Sequence, residues 1–246
     1  MKNSANSYWI IGKHAVEAAI NNPQRIIQRL CITKETKLKN KIISLKPEIL
    51  SRQQISKIIG GSSAHQGVAI QVKTLKNLSI NEFLLKNKNK KNIVIVLDQI
   101  TDTQNIGAIL RSAQAFSVSA IICQTKHSPK ENTLIAKAAA GALEFVPLIY
   151  VKNISQTLNI LKKNNYWSLG LDGKANQSLN MITKDGKLFN NNLALVLGSE
   201  GRGIRELIIK NCDICCKIDI NNTIDSLNVS VALGITLYEI TRFQKI

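Results

Sequence analysis

From residue 93 to the C-terminus, short apolar runs alternate with segments of helical character. Residues 93–97 form a continuous β-branched run, which is typical of a strand buried on both faces of a parallel sheet. Further strand candidates are residues 118–123, 146–151, 166–171, 193–197 and 214–220. Helix candidates are residues 106–116, 134–143, 154–164, 204–210 and 226–243. This alternation predicts an α/β fold, with helices covering both faces of a parallel sheet.

The N-terminal third has a different organisation. Residues 8–75 carry shorter strand and helix signals, which predict a small α/β domain of their own. Residues 76–92 end in K-N-K-N-K-K-N, a charged low-complexity stretch with nothing to bury. We therefore predict a domain over residues 5–76, a basic linker over 77–92 and a second domain over 93–246.

Positive charge is concentrated in the first part of the chain. Residues 1–92 contain 17 basic and 4 acidic residues, a net +13, whereas residues 93–246 contain 16 and 12, a net +4. This asymmetry suggests a polyanion that the first domain holds and the second acts on. A solvated Lys-rich surface is the alternative. An anionic membrane is less favoured, because the Lys-rich stretches lack an aromatic-bearing amphipathic helix.

Cysteine usage and the N-terminal sequence indicate a reducing, cytoplasmic environment. No run reaches the length of a membrane span, and the first ten residues have no apolar core of a secretory signal. The cysteines are odd in number and unevenly placed, which argues against a disulfide framework. The single C-x-x-C has no second pair, so we expect no metal site and buried strand positions for the five thiols, Cys31, Cys123, Cys212, Cys215 and Cys216.

Polar residues follow the first strand of the second domain. Asn105 and Arg111 come shortly after its carboxyl end, where open α/β sheets place their ligand sites. Read in isolation, Asn105 could be a helix N-cap and Arg111 a surface ion-pair partner. Turn capping is the favoured role for Asp98 and Asp102.

A glycine-rich turn follows a later strand. Gly198, Gly201 and Gly203 surround Glu200, and a polar turn further on opens a helix at Ser226. Two strand ends that meet such turns predict a concave ligand site at one edge of the sheet. The glycine spacing is not the dinucleotide fingerprint, which belongs after the first strand of a βαβ unit. This disfavours a nucleotide-dependent oxidoreductase.

The histidines give no catalytic triad. His14 and His65 lie in the basic domain and His127 in a loop, so solvated or capping roles are favoured. The chemistry of the second domain must therefore use Arg, Asn, Glu and Ser.

Three motifs resemble, in order, those of the SpoU (TrmH-type) RNA 2′-O-ribose methyltransferases of the SPOUT superfamily. They are D-x-x-x-D-x-x-N-x-G-A-I-x-R-S-A from residue 98, L-G-x-E-G-x-G from residue 197, and S-L-N-V-S-V-A from residue 226. K-A-A-A-G-A-L-E at 137–144 is similar to the segment between motifs. G-K-H-A-V-E-A at 12–18 and H-Q-G-V-A at 65–69 resemble the family's RNA-binding domain. The resemblance covers nearly the whole chain.

The resemblance implies a fold, a cofactor and partners. It implies a SPOUT domain whose parallel sheet contains a deep trefoil knot, preceded by a small domain like ribosomal protein L30e. It also implies S-adenosylmethionine as cofactor, a homodimer, and an RNA substrate bound by residues 5–76. The two-domain form most resembles bacterial 23S rRNA guanosine 2′-O-methyltransferases. A tRNA ribose methyltransferase and a non-catalytic RNA-binding or ribosome-assembly module are the alternatives.

The resemblance also implies roles for individual residues. Arg111 would activate the ribose 2′-hydroxyl, either after losing a proton to an RNA phosphate or as a cation that stabilises the developing alkoxide. The site would be completed by Asn105, Glu200, Ser226 and Asn228. The cofactor would be held by Gly198, Ile218 and Leu227, with backbone groups near Ile220 contacting adenine. No metal is required, because the sulfonium methyl is already electrophilic.

The chain departs from the family pattern at two positions. Asp219 replaces a usual proline and Asn222 a usual glycine. Asn tolerates positive φ, so the turn can survive, but Asp219 adds a charge near the expected cofactor wall.

Overall fold

The computed structural model describes residues 7–38, 45–61, 65–184, 191–221 and 223–244. These residues form two compact units. Unit 1 consists of the described residues up to Lys76 together with Lys130–Phe145, and unit 2 of Asn77–Pro129 and those from Val146 onward.

The strands, in chain order, are β1 (Ser7–Ile11), β2 (Ile27–Ile32), β3 (Glu48–Ile49), β4 (Val68–Lys73), β5 (Ile93–Asp98), β6 (Ala120–Gln124), β7 (Leu148–Val151), β8 (Tyr166–Leu171), β9 (Gln177–Ser178), β10 (Asn192–Gly198) and β11 (Ile214–Lys217). The helices are α1 (Lys13–Asn21), α2 (Arg52–Ile58), α3 (Ile80–Lys86), α4 (Thr103–Ala115), α5 (Thr133–Ala139), α6 (Ile154–Lys163), α7 (Leu179–Lys184), α8 (Glu206–Ile209) and α9 (Val229–Gln244).

Unit 1 contains a four-stranded sheet in the order β1-β4-β2-β3. β4 is antiparallel to β1 and β2, and β3 is parallel to β2. α2 begins with a capping box, in which Ser51 and Gln54 exchange side-chain and backbone hydrogen bonds. It buries Ile55 against Cys31 and Ala69 of the sheet. The expected small α/β architecture is thereby present in this unit.

Residues 130–145 pack on the N-terminal segments within unit 1. α5 contacts β1, and the 3₁₀ turn Ala142–Glu144 contacts α1. Gly141 has φ +102°, and a Cβ there would lie 2.9 Å from the Cβ of Ala18. A glycine is therefore required both by the backbone conformation and by the close approach to α1.

Unit 2 contains a seven-stranded sheet in the order β7-β6-β5-β10-β8-β11-β9, and every strand pair in it is parallel. Val94 and Val96 lie in a buried cluster with residues of α3, α6 and α8. Ile95 and Leu97 point to the opposite face and are equally buried, so both faces are covered. The predicted parallel α/β sheet is confirmed; the knot stays a prediction.

The boundaries of several expected elements differ. The strand expected over 214–220 ends at Lys217, and the helix expected over 226–243 begins at Val229. Residues 134–143 are divided between α5 and the 3₁₀ turn, because Ala140 and Gly141 have positive φ. β9 and α7 were not expected.

The stretch expected to be a linker contains a packed helix. α3 begins with a Ser79–Glu82 capping box and places Phe83, almost fully buried, in the core of unit 2. The basic linker predicted over residues 77–92 therefore includes a helix at residues 80–86 that packs in unit 2. No helix in the described ranges is long and apolar enough to cross a membrane.

Candidate active site

Three chain connections leave the sheet of unit 2 at its carboxyl edge and carry the predicted site residues. β5 ends at Asp98, which pairs in register with Gly198 at the end of β10, and β11 ends at Lys217. β10 lies between β5 and β8 although it follows both in the chain. Ligand sites of open α/β sheets form at such a change of strand order.

Asp102 fixes the start of the first connection. Its carboxylate accepts hydrogen bonds from the backbone N–H groups of Gln104 and Asn105, at 3.0 and 3.4 Å. Asp102 is thus the N-cap of α4, as predicted. Asn105 lies inside the first turn, so its side chain is free for the site, and the alternative interpretation as an N-cap is wrong.

Asn105, Glu200 and Asn228 form a hydrogen-bonded trio. The Nδ2 atoms of Asn105 and Asn228 each donate to Glu200 Oε1 at 2.8 Å. Asn228 Nδ2 also donates to Asn105 Oδ1 at 2.9 Å. Hydrogen bonds to a single carboxylate oxygen, Glu200 Oε1, thereby link the three connections.

Ser230 orients the third member of the trio. Its backbone N–H and its hydroxyl both donate to Asn228 Oδ1, at 2.9 and 2.6 Å. These bonds turn the amino end of the Asn228 amide toward Glu200. The Ser230 bonds and the hydrogen bonds within the trio therefore fix the orientation of the Asn228 side chain.

Arg111 and Ser226 lie outside this trio. Arg111 is exposed on α4, and its guanidinium makes no hydrogen bond or ion pair with the described residues. Ser226 is exposed in the segment before α9 and likewise makes no hydrogen bond within the described part of the chain. Both side chains are accessible to a ligand, and of the five predicted catalytic residues three are joined directly.

The glycine-rich turn folds back on itself. Gly203 N–H donates to the Ser199 carbonyl at 2.9 Å, and Gly201 and Gly203 have φ +82° and +67°. A Cβ on Gly198 would lie 2.0 Å from the Gly203 carbonyl carbon and 2.2 Å from Ile204 N. Gly198 is therefore required by the turn's own backbone, irrespective of any ligand.

The segment after β11 combines half-buried apolar side chains with available backbone groups. Ile218, Ile220 and Leu227 are half-buried, and Asp219 is exposed. Among the described residues, no backbone hydrogen bond joins residues 218–220 to another segment. Such a wall fits a nucleoside, whose ring faces are apolar and whose edges need hydrogen bonds. Asn222 lies outside the described residues.

Asp98 and Arg205 form an ion pair that was not predicted. Arg205 Nη2 and Nε donate to Asp98 Oδ1 at 2.6 and 2.9 Å, and Arg205 N–H donates to Oδ2 at 3.0 Å. Asp98 is therefore not a turn cap. An acidic residue that ends an otherwise apolar strand indicates a basic partner. The sequence alone does not show which basic residue this is, because Arg205 lies 107 positions after Asp98.

The cysteines occupy positions in the fold that indicate structural rather than catalytic roles. Cys31, Cys123 and Cys216 are buried strand residues as predicted, whereas Cys215 lies in β11 but is only half-buried and Cys212 lies in the turn before β11, also half-buried. Burial raises the pKa of the Cys212 thiol to about 12. Within the described ranges, no group of three or more His, Cys, Asp or Glu side chains could hold a metal ion.

His65 is a buried turn residue. Its Nδ1 accepts the Gly67 N–H at 3.1 Å, so its proton lies on Nε2, which is 3.1 Å from Ser56 Oγ. The capping interpretation is thus correct and the solvated one is wrong.

Comparison with known proteins defines the class. Residues 92–238 match the SpoU rRNA Methylase family, and residues 9–78 match the family model for RNA 2′-O ribose methyltransferase substrate binding. The chain belongs to the SpoU rRNA methylase family, as the motif resemblance indicated.

Particular relatives extend over nearly the whole chain. The 23S rRNA (guanosine-2′-O-)-methyltransferase RlmB of Haemophilus influenzae is 37% identical over 96% of this chain and 98% of its own length. The protein of the same name from Coxiella burnetii is 35% identical over 95% and 94%.

Solved structures share the fold. The SpoU methyltransferase AviRb from Streptomyces viridochromogenes, in complex with the cofactor AdoMet, superposes with a TM-score of 0.79 at 16% identity, covering 98% of this chain and 91% of that one. A putative RNA methyltransferase of the TrmH family from Porphyromonas gingivalis gives 0.72 at 23% identity, with coverages of 96% and 90%.

Proposed function

We propose that the chain transfers a methyl group from S-adenosylmethionine to the ribose 2′-hydroxyl of a guanosine in 23S rRNA. The observation that carries this proposal is the hydrogen-bonded Asn105–Glu200–Asn228 trio at the carboxyl edge of the sheet. A non-catalytic RNA-binding module would have no need of this geometry. The RlmB relatives support the choice of 23S rRNA and guanosine, and an rRNA substrate implies action in the cytoplasm.

The cofactor would be held by the glycine-rich turn and the segment after β11. The free backbone groups of residues 218–220 can bind the edge of adenine, and Ile218, Ile220 and Leu227 can cover its faces. Gly198 keeps the end of β10 free of side-chain atoms. When bound, S-adenosylmethionine supplies an electrophilic methyl group.

Arg111 is the residue that activates the hydroxyl. An exposed guanidinium with no carboxylate partner among the described residues can bind the phosphate next to the target ribose. Its cationic guanidinium stabilises the negative charge that develops on the 2′-oxygen as the hydroxyl proton passes to solvent water and the methyl group is transferred, with S-adenosylhomocysteine left as the product. The trio and Ser226 align the ribose, which is the larger requirement when the methyl donor is already activated.

Unit 1 captures the RNA. Its 15 basic and 5 acidic residues give unit 1 a net charge of +10, and phosphate contacts dominate affinity for nucleic acids. A cavity of about 610 Å³ in this unit is lined by two cations and one carboxylate among polar and apolar residues: Thr33, Lys34, Glu35, Ile49, Leu50, Ser51, Arg52 and Gln54. Cationic and hydroxyl groups around a concavity suit the backbone of folded RNA, which proteins recognise largely by shape.

The decisive experiment is methyl transfer from labelled S-adenosylmethionine to separate pools of unmodified 23S rRNA and tRNA. We expect label in an alkali-resistant, ribose-methylated dinucleotide from 23S rRNA, and a loss of at least about 100-fold in the Arg111→Ala variant. Gln114→Ala, an exposed change on the same helix, is the control.

Each other outcome revises a different part of the proposal. Label in tRNA alone would overturn the substrate and keep the reaction. S-adenosylhomocysteine binding without transfer to either pool would contradict both substrates. Absence of cofactor binding would favour the RNA-binding module. Full activity of Arg111→Lys together with loss in Arg111→Ala would support a cationic role for Arg111.

A further inference from the structure

We propose that Asp98 and Arg205 are positioning residues that hold the turn 198–205 in the conformation that Glu200 requires. The catalytic consequence rests on the proposed methyl transfer, whereas the ordering of the turn does not. Neither residue contacts the trio directly.

The turn is attached to Asp98 at both of its ends. At its start, Gly198 is the register partner of Asp98 in the β10–β5 pair. At its end, the backbone N–H of Arg205 donates to Asp98 Oδ2 at 3.0 Å. The six residues between these two points form a closed loop, and Glu200 lies within it.

The guanidinium of Arg205 secures the second attachment. It donates to Asp98 through Nε and Nη2, and the Asp98 side chain is fully buried. A buried carboxylate is strongly destabilising unless it is paired, and a guanidinium fork fixes orientation as well as charge. Displacing the end of the turn would therefore leave a buried charge without its cation.

The attachment continues across the sheet edge. Arg205 Nη2 donates to Gln124 Oε1 at 3.2 Å at the end of β6, and Gln124 Nε2 donates to the Lys152 carbonyl just after β7 at 3.4 Å. The turn that follows β10 is thus linked by hydrogen bonds to the ends of β5, β6 and β7. A support of this extent can keep a side chain in place before substrate binds.

Glu200 depends on this support because its described contacts are all side-chain hydrogen bonds to Asn105 and Asn228. It is exposed, so these hydrogen bonds and the backbone of the turn set its position. A shift of about 1 Å in a supporting element can reduce turnover by about 100-fold.

The test combines hydrogen exchange with kinetics in the full-length protein. Arg205→Lys keeps the charge but loses the fork, and Asp98→Asn keeps the shape but loses the charge. In both variants we expect faster amide exchange in a peptide spanning 198–205, with unchanged exchange in 193–197 of β10. At saturating S-adenosylmethionine and 23S rRNA we expect kcat to fall about 10- to 100-fold.

Glu206→Gln changes an exposed charge at the next position and is the matched control for both measurements. Unchanged exchange in 198–205 would overturn the proposal, as would faster exchange with wild-type kcat. If the variants have a lower melting temperature but the wild-type kcat at 25 °C, the Asp98–Arg205 pair stabilises the fold without affecting catalysis, and the proposal is wrong. If the wild type transfers no methyl group, the proposed function fails, while the exchange result still decides whether the pair orders the turn.

Discussion

Asn228 presents both of its hydrogen-bonding ends to defined partners, so an isosteric change tests the trio directly. Asn228→Asp would remove both donations and place a second carboxylate beside Glu200 Oε1. We expect kcat to fall about 10- to 100-fold, because the hydrogen bond to the charged Glu200 carboxylate contributes about 1.5–3 kcal/mol. The measurement is single-turnover methyl transfer.

Asn180→Asp introduces the same charge at an exposed position of α7 and controls for electrostatic effects on RNA binding. A normal rate for Asn228→Asp would show that the trio is not needed for transfer.

Gly198 tolerates no side chain, whereas Gly173 does. The Gly198→Ala variant would bring a methyl group within 2.2 Å of the Gly203 carbonyl oxygen, and a methyl on Gly173 would meet nothing within 4 Å. We expect Gly198→Ala to lower the free energy of unfolding by about 1–3 kcal/mol and to weaken S-adenosylhomocysteine binding. Thermal unfolding and calorimetric titration check this, and equal stabilities for the two variants would contradict it.

His65 gives unit 1 a pH dependence of known sign. Burial, with a smaller contribution from Arg52, lowers its pKa below the ordinary 6.5, so the unfolded chain binds a proton that the folded unit does not. The stabilisation is complete above pH 6.5 and is lost as pH falls through the window below 6.5. A proton on Nδ1 would also remove the acceptor for Gly67 N–H.

Urea unfolding of unit 1 between pH 5.5 and 7.5 measures this effect. Trp9 fluorescence in a Trp167→Phe background reports on this unit alone, since these are the chain's two tryptophans. The decline in stability below pH 6.5 should disappear in His65→Gln and persist in His14→Gln, whose histidine is exposed. An unchanged slope in His65→Gln would assign the effect to another group.

At the scale of elements, a buried ionic cluster joins residues 130–145 to the N-terminal segments of unit 1. The Arg25 side chain is fully buried and pairs with Glu131 and Glu144, and Tyr8 donates to Glu131. Arg25→Met would leave two carboxylates without a cation. We expect a loss of about 3–5 kcal/mol in the free energy of unfolding of unit 1.

Arg29 provides the matched control. It pairs with Glu48 through two 2.9 Å hydrogen bonds, but both side chains are 41% exposed. Arg29→Met should therefore cost no more than about 1 kcal/mol. Similar losses for the two variants in urea unfolding would show that the buried cluster contributes no more than a surface pair.

Hydrophobic periodicity was sufficient to predict the sheet of unit 2. β5 and β10 are continuous apolar runs, and such runs belong to strands covered on both faces. It failed at α3, because the lysines and asparagines that follow the helix obscured a single buried phenylalanine, Phe83. Local composition does not show that Phe83, with Ile80 and Leu84 partly buried beside it, packs a short helix against a core.

The candidate site was predictable as a set of residues but not as a geometry. Motif order selected Asn105, Glu200 and Asn228. Glu200 lies 95 positions after Asn105 and 28 positions before Asn228, and it accepts a hydrogen bond from each of them. The pairing of Asp98 with Arg205 depends on β10 entering the sheet beside β5, and this topology is set by long-range packing. For the same reason, sequence did not show that residues 130–145 belong to unit 1.

At the scale of the whole molecule, α9 has two apolar faces. Leu233, Leu237 and Ile240 are buried within unit 2, whereas Val231, Ile235 and Tyr238 form an exposed stripe at helical spacing. We propose that a second copy of the chain covers this stripe, in keeping with the homodimer expected from the motifs. Tyr238→Glu should then convert the dimer to monomer.

The molar masses of the wild type and of Tyr238→Glu are measured by light scattering after size-exclusion chromatography, at one fixed protein concentration. Leu85→Glu, a change at an exposed apolar residue of α3, should leave the mass unchanged. A monomeric wild type would contradict the proposed interface.

The division of unit 1 between two stretches of chain has a consequence during synthesis on the ribosome. Domains generally fold from the N-terminus as they emerge, at about 5–20 residues per second. The two carboxylates that neutralise Arg25 are Glu131 and Glu144, so a nascent chain that ends at residue 76 has a cation with no partner to bury it. Unit 1 therefore completes its fold only after more than half of the polypeptide has been made, and its first 76 residues need a complementary fragment containing 130–145 to reproduce the native unit.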